Sequence, residues 1–235
     1  MKAIILAGGK GTRLRPLTYK IPKALIPVQG KTLTEHVLDI YKKAGINDFL
    51  FSTSYLADKV RDYFGNGEKF GLSISYLNED NPMGTAGPLM ILKNQNQILN
   101  ENFFMSNGDN LFALDLKDML NKHQSSDVVA TIALTKVEDP TKYGIAKLNG
   151  DKILEFVEKP DTTEAPSSYA SSGYYILSPE IFNYIKEGDF IMLEKNVWPI
   201  LAQEGKLGAY VSDAQWFDTG TPELHQKVNQ EWKGV

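Results

Sequence analysis

The 235-residue chain sets 25 Lys and Arg against 29 Asp and Glu, a formal charge of −4 with no basic stripe, which argues against a nucleic-acid partner. It has no cysteine, so disulfides, thiolate nucleophiles and cysteine-held zinc are excluded, while 42% apolar and 23% charged residues are ordinary for a globular protein. The first apolar run, Ala3 to Ala7, is too short for a signal-peptide core, and no stretch approaches the roughly 20 apolar residues of a membrane span. No membrane partner is expected, and the cytoplasm is the expected location.

Strand and helix patterns alternate from the N-terminus. Ala3-Ile4-Ile5-Leu6-Ala7 is a continuous apolar run, as in a parallel strand covered on both faces. After a Gly- and Pro-rich loop, Val37, Leu38, Tyr41 and Ala44 have helical spacing over 34–44, closed by Gly45. A strand at 49–52, a helix over 57–64 ended by Gly65 and a strand at 72–77 follow. A helix over 86–97 leads to a short buried strand at 103–105, ending at Asn107-Gly108-Asp109. Next come a helix over 116–123, a strand at 128–134 and a strand-rich stretch with 145–148, 153–157 and 174–177. Helices over 179–186 and 192–204 precede a strand at 207–211 and a last helix over 222–232. Repeated βα units predict a doubly wound α/β fold with a mainly parallel sheet, its ligands beyond the carboxyl ends of the strands. One domain is expected over 1–235, without a linker or a C-terminal β-helix repeat.

The glycine-rich segment Leu6-Ala7-Gly8-Gly9-Lys10-Gly11-Thr12-Arg13-Leu14-Arg15 directly follows the first strand. Its glycines let backbone N–H groups approach anionic oxygens. It has neither the P-loop nor the dinucleotide spacing. Instead it packs Lys10, Arg13 and Arg15 into one loop. Ten residues past Arg13, Lys23 lies in Pro22-Lys23-Ala24-Leu25-Ile26-Pro27-Val28, an extended segment held by prolines.

These two segments closely resemble the signature of the sugar-phosphate nucleotidylyltransferases. The resemblance continues in order through Gly84-Thr85-Ala86-Gly87, Asn107-Gly108-Asp109, Tyr143-Gly144-Ile145, Phe156-Val157-Glu158-Lys159-Pro160 and Trp216-Phe217-Asp218-Thr219-Gly220-Thr221, nearly the whole chain. It implies a Rossmann-like nucleotidylyltransferase fold with a strand-rich sugar-binding half. The implied reaction joins a nucleoside triphosphate to a sugar 1-phosphate and releases pyrophosphate, with magnesium as cofactor. By resemblance, Asp109 and Asp218 hold the metal, and Arg13, Lys23 and Asp109 are catalytic. Leu6, Ala7, Gly8, Gly9, Gly11, Thr12, Arg13, Gly84 and Thr85 meet the nucleotide. Asn107, Gly144, Glu158, Lys159 and Gly173 meet the sugar phosphate. Taken alone, each aspartate would more often form a turn or cap a helix. Homo-oligomers are common in the family, though no interface signal is visible.

For the base, thymine or uracil suits an amide side chain, whereas the N1–H and N2–H groups of guanine need acceptors. The segment from Glu79 to Leu89 has no glutamine, and Gly-Thr-Ala-Gly-Pro-Leu is closest to the mannose-1-phosphate guanylyltransferases, which favours GTP. Glucose-1-phosphate thymidylyl-, heptose-1-phosphate guanylyl- and muramate or N-acetylhexosamine-1-phosphate uridylyltransferases remain alternatives. A non-catalytic nucleotide-sugar sensor should lack one of the phosphate cations or metal carboxylates, and all four are present. A glycosyltransferase would normally carry a second aspartate two residues beyond Asp109, and Leu111 stands there. His36, His123 and His225 lie on separate predicted helices without ligand spacing and are expected to be partly exposed structural residues. Trp198, Trp216 and Trp232 are expected in the core.

Overall fold

The computed structural model describes residues 1–162 and 164–235. In chain order the first elements are β1 (Ala3–Leu6), β2 (Pro27–Val28), β3 (Lys31–Thr32), α1 (Leu33–Lys43), β4 (Asp48–Thr53), α2 (Ala57–Phe64) and β5 (Ser73–Asn78). Next are α3 (Gly87–Asn94), β6 (Phe103–Asn107), β7 (Asn110–Phe112), α4 (Leu116–Gln124), β8 (Ala130–Lys136), β9 (Gly144–Asn149), β10 (Lys152–Glu158) and β11 (Tyr169–Leu177). The last are α5 (Ile181–Tyr184), α6 (Leu193–Asn196), α7 (Trp198–Gln203), β12 (Leu207–Val211), β13 (Trp216–Asp218) and α8 (Pro222–Glu231). They form two compact units: Met1–Pro82, Ser106–Leu116 and Ala214–Val235 make the first, and Met83–Met105 with Lys117–Asp213 the second.

In the first unit β1, β4 and β5 run parallel, with Ala3 opposite Phe49 and Asp48 opposite Ser73. The apolar run of β1 is buried on both faces, as Ala3, Ile4 and Ile5 have no exposed surface. Helix α1 starts at a capping box, in which Thr32 accepts from the Glu35 amide and Glu35 accepts from the Thr32 amide; this satisfies two otherwise orphaned donors. Its apolar stripe of Val37, Leu38 and Tyr41 is buried. Helix α8 returns to the β2–β3 hairpin, where the His225 imidazole meets the Pro27 carbonyl at 2.8 Å and Gln29 donates to the Trp232 carbonyl. Strands β7 and β13 form a separate antiparallel pair.

In the second unit the strand order is β11, β8, β12, β10, β9. Strands β8 and β12 pair in parallel; β11–β8, β10–β12 and β10–β9 are antiparallel. A two-residue turn at Gly150-Asp151 joins β9 to β10, and so short a connection permits only antiparallel pairing. The α/β class and the strand-rich half are as expected, and parallel βα winding dominates the first unit.

Three predicted helices end early. The helix expected over 192–204 is two helices, because Pro199 can stand only in a first turn and restarts the chain as α7. The one expected over 179–186 is the single turn α5; its Phe182 carbonyl and that of Ile185, just past its end, accept from the Lys93 ammonium. Helix α3 stops at Asn94, and Asn96 takes a left-handed φ of 55°. Among the described residues no helix is long and apolar enough to cross a membrane.

Candidate functional site

The glycine-rich segment carries the chain off the end of β1 into one turn of 3-10 helix, Thr12–Leu14. Gly11 takes a left-handed φ of 57°, and its carbonyl accepts from the Thr18 hydroxyl at 2.8 Å. Leu6, Ala7, Gly8, Gly9, Gly11 and Thr12 therefore line one strand end. The Gly108 amide donates to the Leu6 carbonyl at 2.9 Å and the Thr34 hydroxyl donates to the Gly108 carbonyl, so Asn107-Gly108-Asp109 is held alongside that end.

Lys23 and Asp218 arrive from opposite sides in sequence. Lys23 sits in a short 3-10 turn after Pro22, is 9% exposed, and its ammonium pairs with the Asp109 carboxylate. Strand β13 sets Asp218 opposite Asn110, and the Thr219 hydroxyl donates to the Asp109 carbonyl at 2.6 Å. Gly220 fixes the last neighbour. A Cβ there would lie 2.5 Å from Arg13 Nη2 and 2.9 Å from Asp218 Oδ1, so guanidinium and carboxylate both rest against its bare Cα. Arg13, Lys23, Asp109 and Asp218, expected together from the resemblance, form one cluster of two cations and two carboxylates. Arg15 instead lies 4.9 Å over the Tyr19 ring, and Lys10 is exposed.

The second unit holds the other expected residues. Gly84 and Thr85 form the turn before α3, and the Thr85 hydroxyl donates to Glu194 Oε2 at 2.5 Å. Gly144 opens β9 directly opposite Glu158 at the end of β10. Lys159 has a left-handed φ of 50°, and its amide donates to the Tyr143 carbonyl at 3.0 Å. A non-glycine residue keeps such a conformation only where its surroundings impose it, and such strain concentrates at functional sites. The Lys159 ammonium lies 3.4 Å from Glu158 Oε1. Gly173, with φ 81°, falls in the register shift between Ser171 and Tyr175 of β11. Asn107, expected with the sugar group, belongs to the first unit beside Asp109.

Sequence reasoning overlooks Glu79. This carboxylate follows β5, is 9% exposed, and accepts from the Ser52 hydroxyl, while its amide donates to the Thr53 carbonyl at 2.9 Å. The same stretch of β4 borders Gly8, whose Cα leaves only 3.0 Å between an added Cβ and the Ser54 amide nitrogen. An acidic residue just past a strand and three residues before Pro82 is the visible signal. The histidines also depart from expectation. His36 and His123 are buried, not partly exposed, because each packs its ring in the core with a bonded nitrogen: His36 to the Val28 carbonyl and the Trp232 indole, His123 to the Thr131 hydroxyl. Burial lowers the His123 pKa to about 4. Trp198 and Trp232 are buried as expected, while Trp216 is half-buried.

Among the described residues no three His, Cys, Asp or Glu side chains cluster as a metal cage. The β7–β13 pairing brings Asp109 and Asp218 to one end of the same strand pair, and two hard oxygen donors suit a cation that completes its shell with substrate oxygens and water.

Residues 2–233 match the family described as Nucleotidyl transferase. Mannose-1-phosphate guanyltransferase beta-B of Xenopus laevis is 38% identical over 228 residues, covering 94% of this chain; the chain spans 62% of that relative's length. A Bacillus anthracis protein crystallised with sucrose, provisionally named a glucose-1-phosphate thymidylyltransferase, matches with a TM-score of 0.85 at 31% identity, over 98% of this chain and 94% of its own. HddC of Yersinia pseudotuberculosis, complexed with GMP-PN, gives a TM-score of 0.80 at 28% identity over 99% of both chains. On the full-length match and these relatives, the chain belongs to the Nucleotidyl transferase family.

Proposed function

We propose that the chain is a magnesium-dependent sugar-1-phosphate nucleotidylyltransferase, with GTP and mannose 1-phosphate its preferred pair. The observation that carries this reading is the convergence of Arg13, Lys23, Asp109 and Asp218 from four separate segments of the first unit. In the reaction an oxygen of the sugar phosphate bonds to the α-phosphorus as the bond to the β-phosphate bridging oxygen breaks, and pyrophosphate leaves with that electron pair. Such transfers need positioning and neutralisation of charge more than covalent help.

Asp109 and Asp218 would hold the magnesium, which when bound neutralises charge on the nucleotide phosphates. The Arg13 guanidinium, a planar fork, binds two oxygens of the departing pyrophosphate. Lys23, a compact point charge, neutralises the reacting phosphates. Backbone N–H groups of the Gly8–Thr12 stretch add donors to the triphosphate. In the second unit Lys159 takes the phosphate of the sugar and Glu158 accepts from its hydroxyls.

Glu79 supports the guanine preference. A carboxylate accepts only, and so matches the N1–H and N2–H donors of guanine, whereas uracil or thymine would need a donor as well. The name of the Xenopus relative and the GMP-PN complex of HddC agree with this choice. Pyrophosphate release is the test, with GTP, dTTP, UTP, CTP and ATP each combined with mannose, glucose, N-acetylglucosamine, muramate and heptose 1-phosphates. GTP with mannose 1-phosphate should turn over fastest; no turnover with any pair refutes the reading.

A further inference from the structure

We propose that Glu194 is a positioning residue, which fixes the Met83–Ala86 turn through the Thr85 hydroxyl. The idea rests on the reading above, in which Gly84 and Thr85 meet the nucleotide and the Glu158–Lys159 pair meets the sugar phosphate.

Nothing in the sequence motif points to Glu194, which lies over a hundred positions from Thr85, yet the two meet. The segment Ile191–Glu194 runs against the turn and is joined to it by four hydrogen bonds. The Ile191 amide donates to the Met83 carbonyl at 2.9 Å and the Ala86 amide donates to the Ile191 carbonyl at 3.0 Å. The Leu193 amide donates to Thr85 Oγ1 at 2.8 Å, and the same oxygen donates its own hydrogen to Glu194 Oε2. Gly84, with φ 79°, leaves no room for a side chain, since a Cβ would lie 2.7 Å from the Ile191 carbonyl carbon.

The Thr85 hydroxyl is thus committed as donor to a carboxylate and as acceptor from an amide. What Thr85 offers a nucleotide is its backbone and its methyl group, and Glu194 decides how they are aimed. At 2.5 Å the bond to Glu194 is the shortest of the four.

Helix α6, which carries Glu194, packs against β10, the strand that ends at Glu158. Its carboxyl is pushed up by burial and by the Glu158 charge, and drawn down by the Thr85 bond and by the Lys159 ammonium. The buried Tyr175 phenol is pushed up by burial and by the charges of both Glu194 and Glu158. The short helix α6 therefore braces a turn assigned to the nucleotide while it packs on the strand that ends at Glu158, all within the second unit.

Two measurements on the whole protein test this. Hydrogen exchange of residues 83–87, read without substrate, should rise about tenfold in Glu194→Ala, as expected for loss of one hydrogen bond, and at least as much in Thr85→Val, which also removes the acceptor of the Leu193 amide. The double variant should exchange no faster than Thr85→Val alone, and Glu194→Gln, which keeps an acceptor for the hydroxyl, should restore protection. In kinetics, Glu194→Ala should raise KM for the nucleoside triphosphate about tenfold while kcat moves far less. Unchanged exchange at 83–87 in Glu194→Ala, or additive effects in the double variant, overturns the proposal. Exchange needs no turnover. A protein inactive with every substrate pair would therefore refute the catalytic reading, while the exchange result still decides the role of Glu194.

Discussion

The Lys23 ammonium is bonded to the Asp109 carboxylate, the same group assigned to the magnesium ion. One carboxylate cannot serve both cations fully, so with the proposed magnesium Lys23 would hold the place of the metal until nucleotide phosphates drew the ammonium away. Metal and nucleotide should then bind together and the metal alone only weakly. In Lys23→Met, manganese binding without nucleotide, followed by electron paramagnetic resonance, should tighten about tenfold, while kcat falls about 100-fold or more through loss of a phosphate cation. Manganese affinity equal to or weaker than that of the unaltered protein would show that Lys23 does not compete.

Glu79→Gln should move base preference. The amide replaces one acceptor by a donor, which suits uracil or thymine and leaves a guanine donor facing another donor. The ratio of kcat/KM for GTP to that for UTP should fall about 10- to 100-fold, corresponding to roughly 1.4–2.8 kcal/mol. A ratio that does not move places the base elsewhere.

Gly220→Ala tests how tightly the phosphate cluster is packed. The new methyl would meet Arg13 Nη2 at 2.5 Å and must push the guanidinium or Asp218 aside. Because Arg13 is an exposed side chain that can swing, the fold should survive while kcat/KM drops at least tenfold. Circular dichroism and pyrophosphate release together check this.

These contacts also show what the sequence made legible. The apolar run of β1, the helical spacing of α1 and α2 and the glycine loop are strong local patterns, and each lies where it is expected. The phosphate cluster depends on β7 and β13, strands of three residues that carry no readable period, and only their pairing brings Asp218 beside Asp109. The Asp109–Asp218 association was therefore open to motif resemblance but not to periodicity. Pro199 was a visible break in the helix expected over 192–204, and that break leaves Glu194 in the short α6 beside the Thr85 turn. Burial of His36 and His123 was hidden because polar spacing does not reveal a satisfied ring in a core.

His123 gives the pH dependence of stability. Folded, it titrates near 4, against 6.5 for the unperturbed ring. Between these values the unfolded chain takes up a proton that the folded one refuses. Stability present above pH 6.5 is lost as pH falls toward 4, by up to about 3 kcal/mol from this group. Urea unfolding at pH 7.5 and 4.5 should show the loss, and His123→Gln, which cannot titrate, should lose less over the same interval. Equal losses would remove His123 as a cause.

The most direct test of the whole account is the rate of pyrophosphate release by Asp109→Asn, Asp218→Asn and the double variant, with GTP, mannose 1-phosphate and magnesium. Each single variant should lose at least about 1,000-fold in kcat, and the double variant little more, because groups acting on one ion fail as a unit. Either variant turning over within tenfold of the unaltered protein would contradict a shared cation at these two carboxylates.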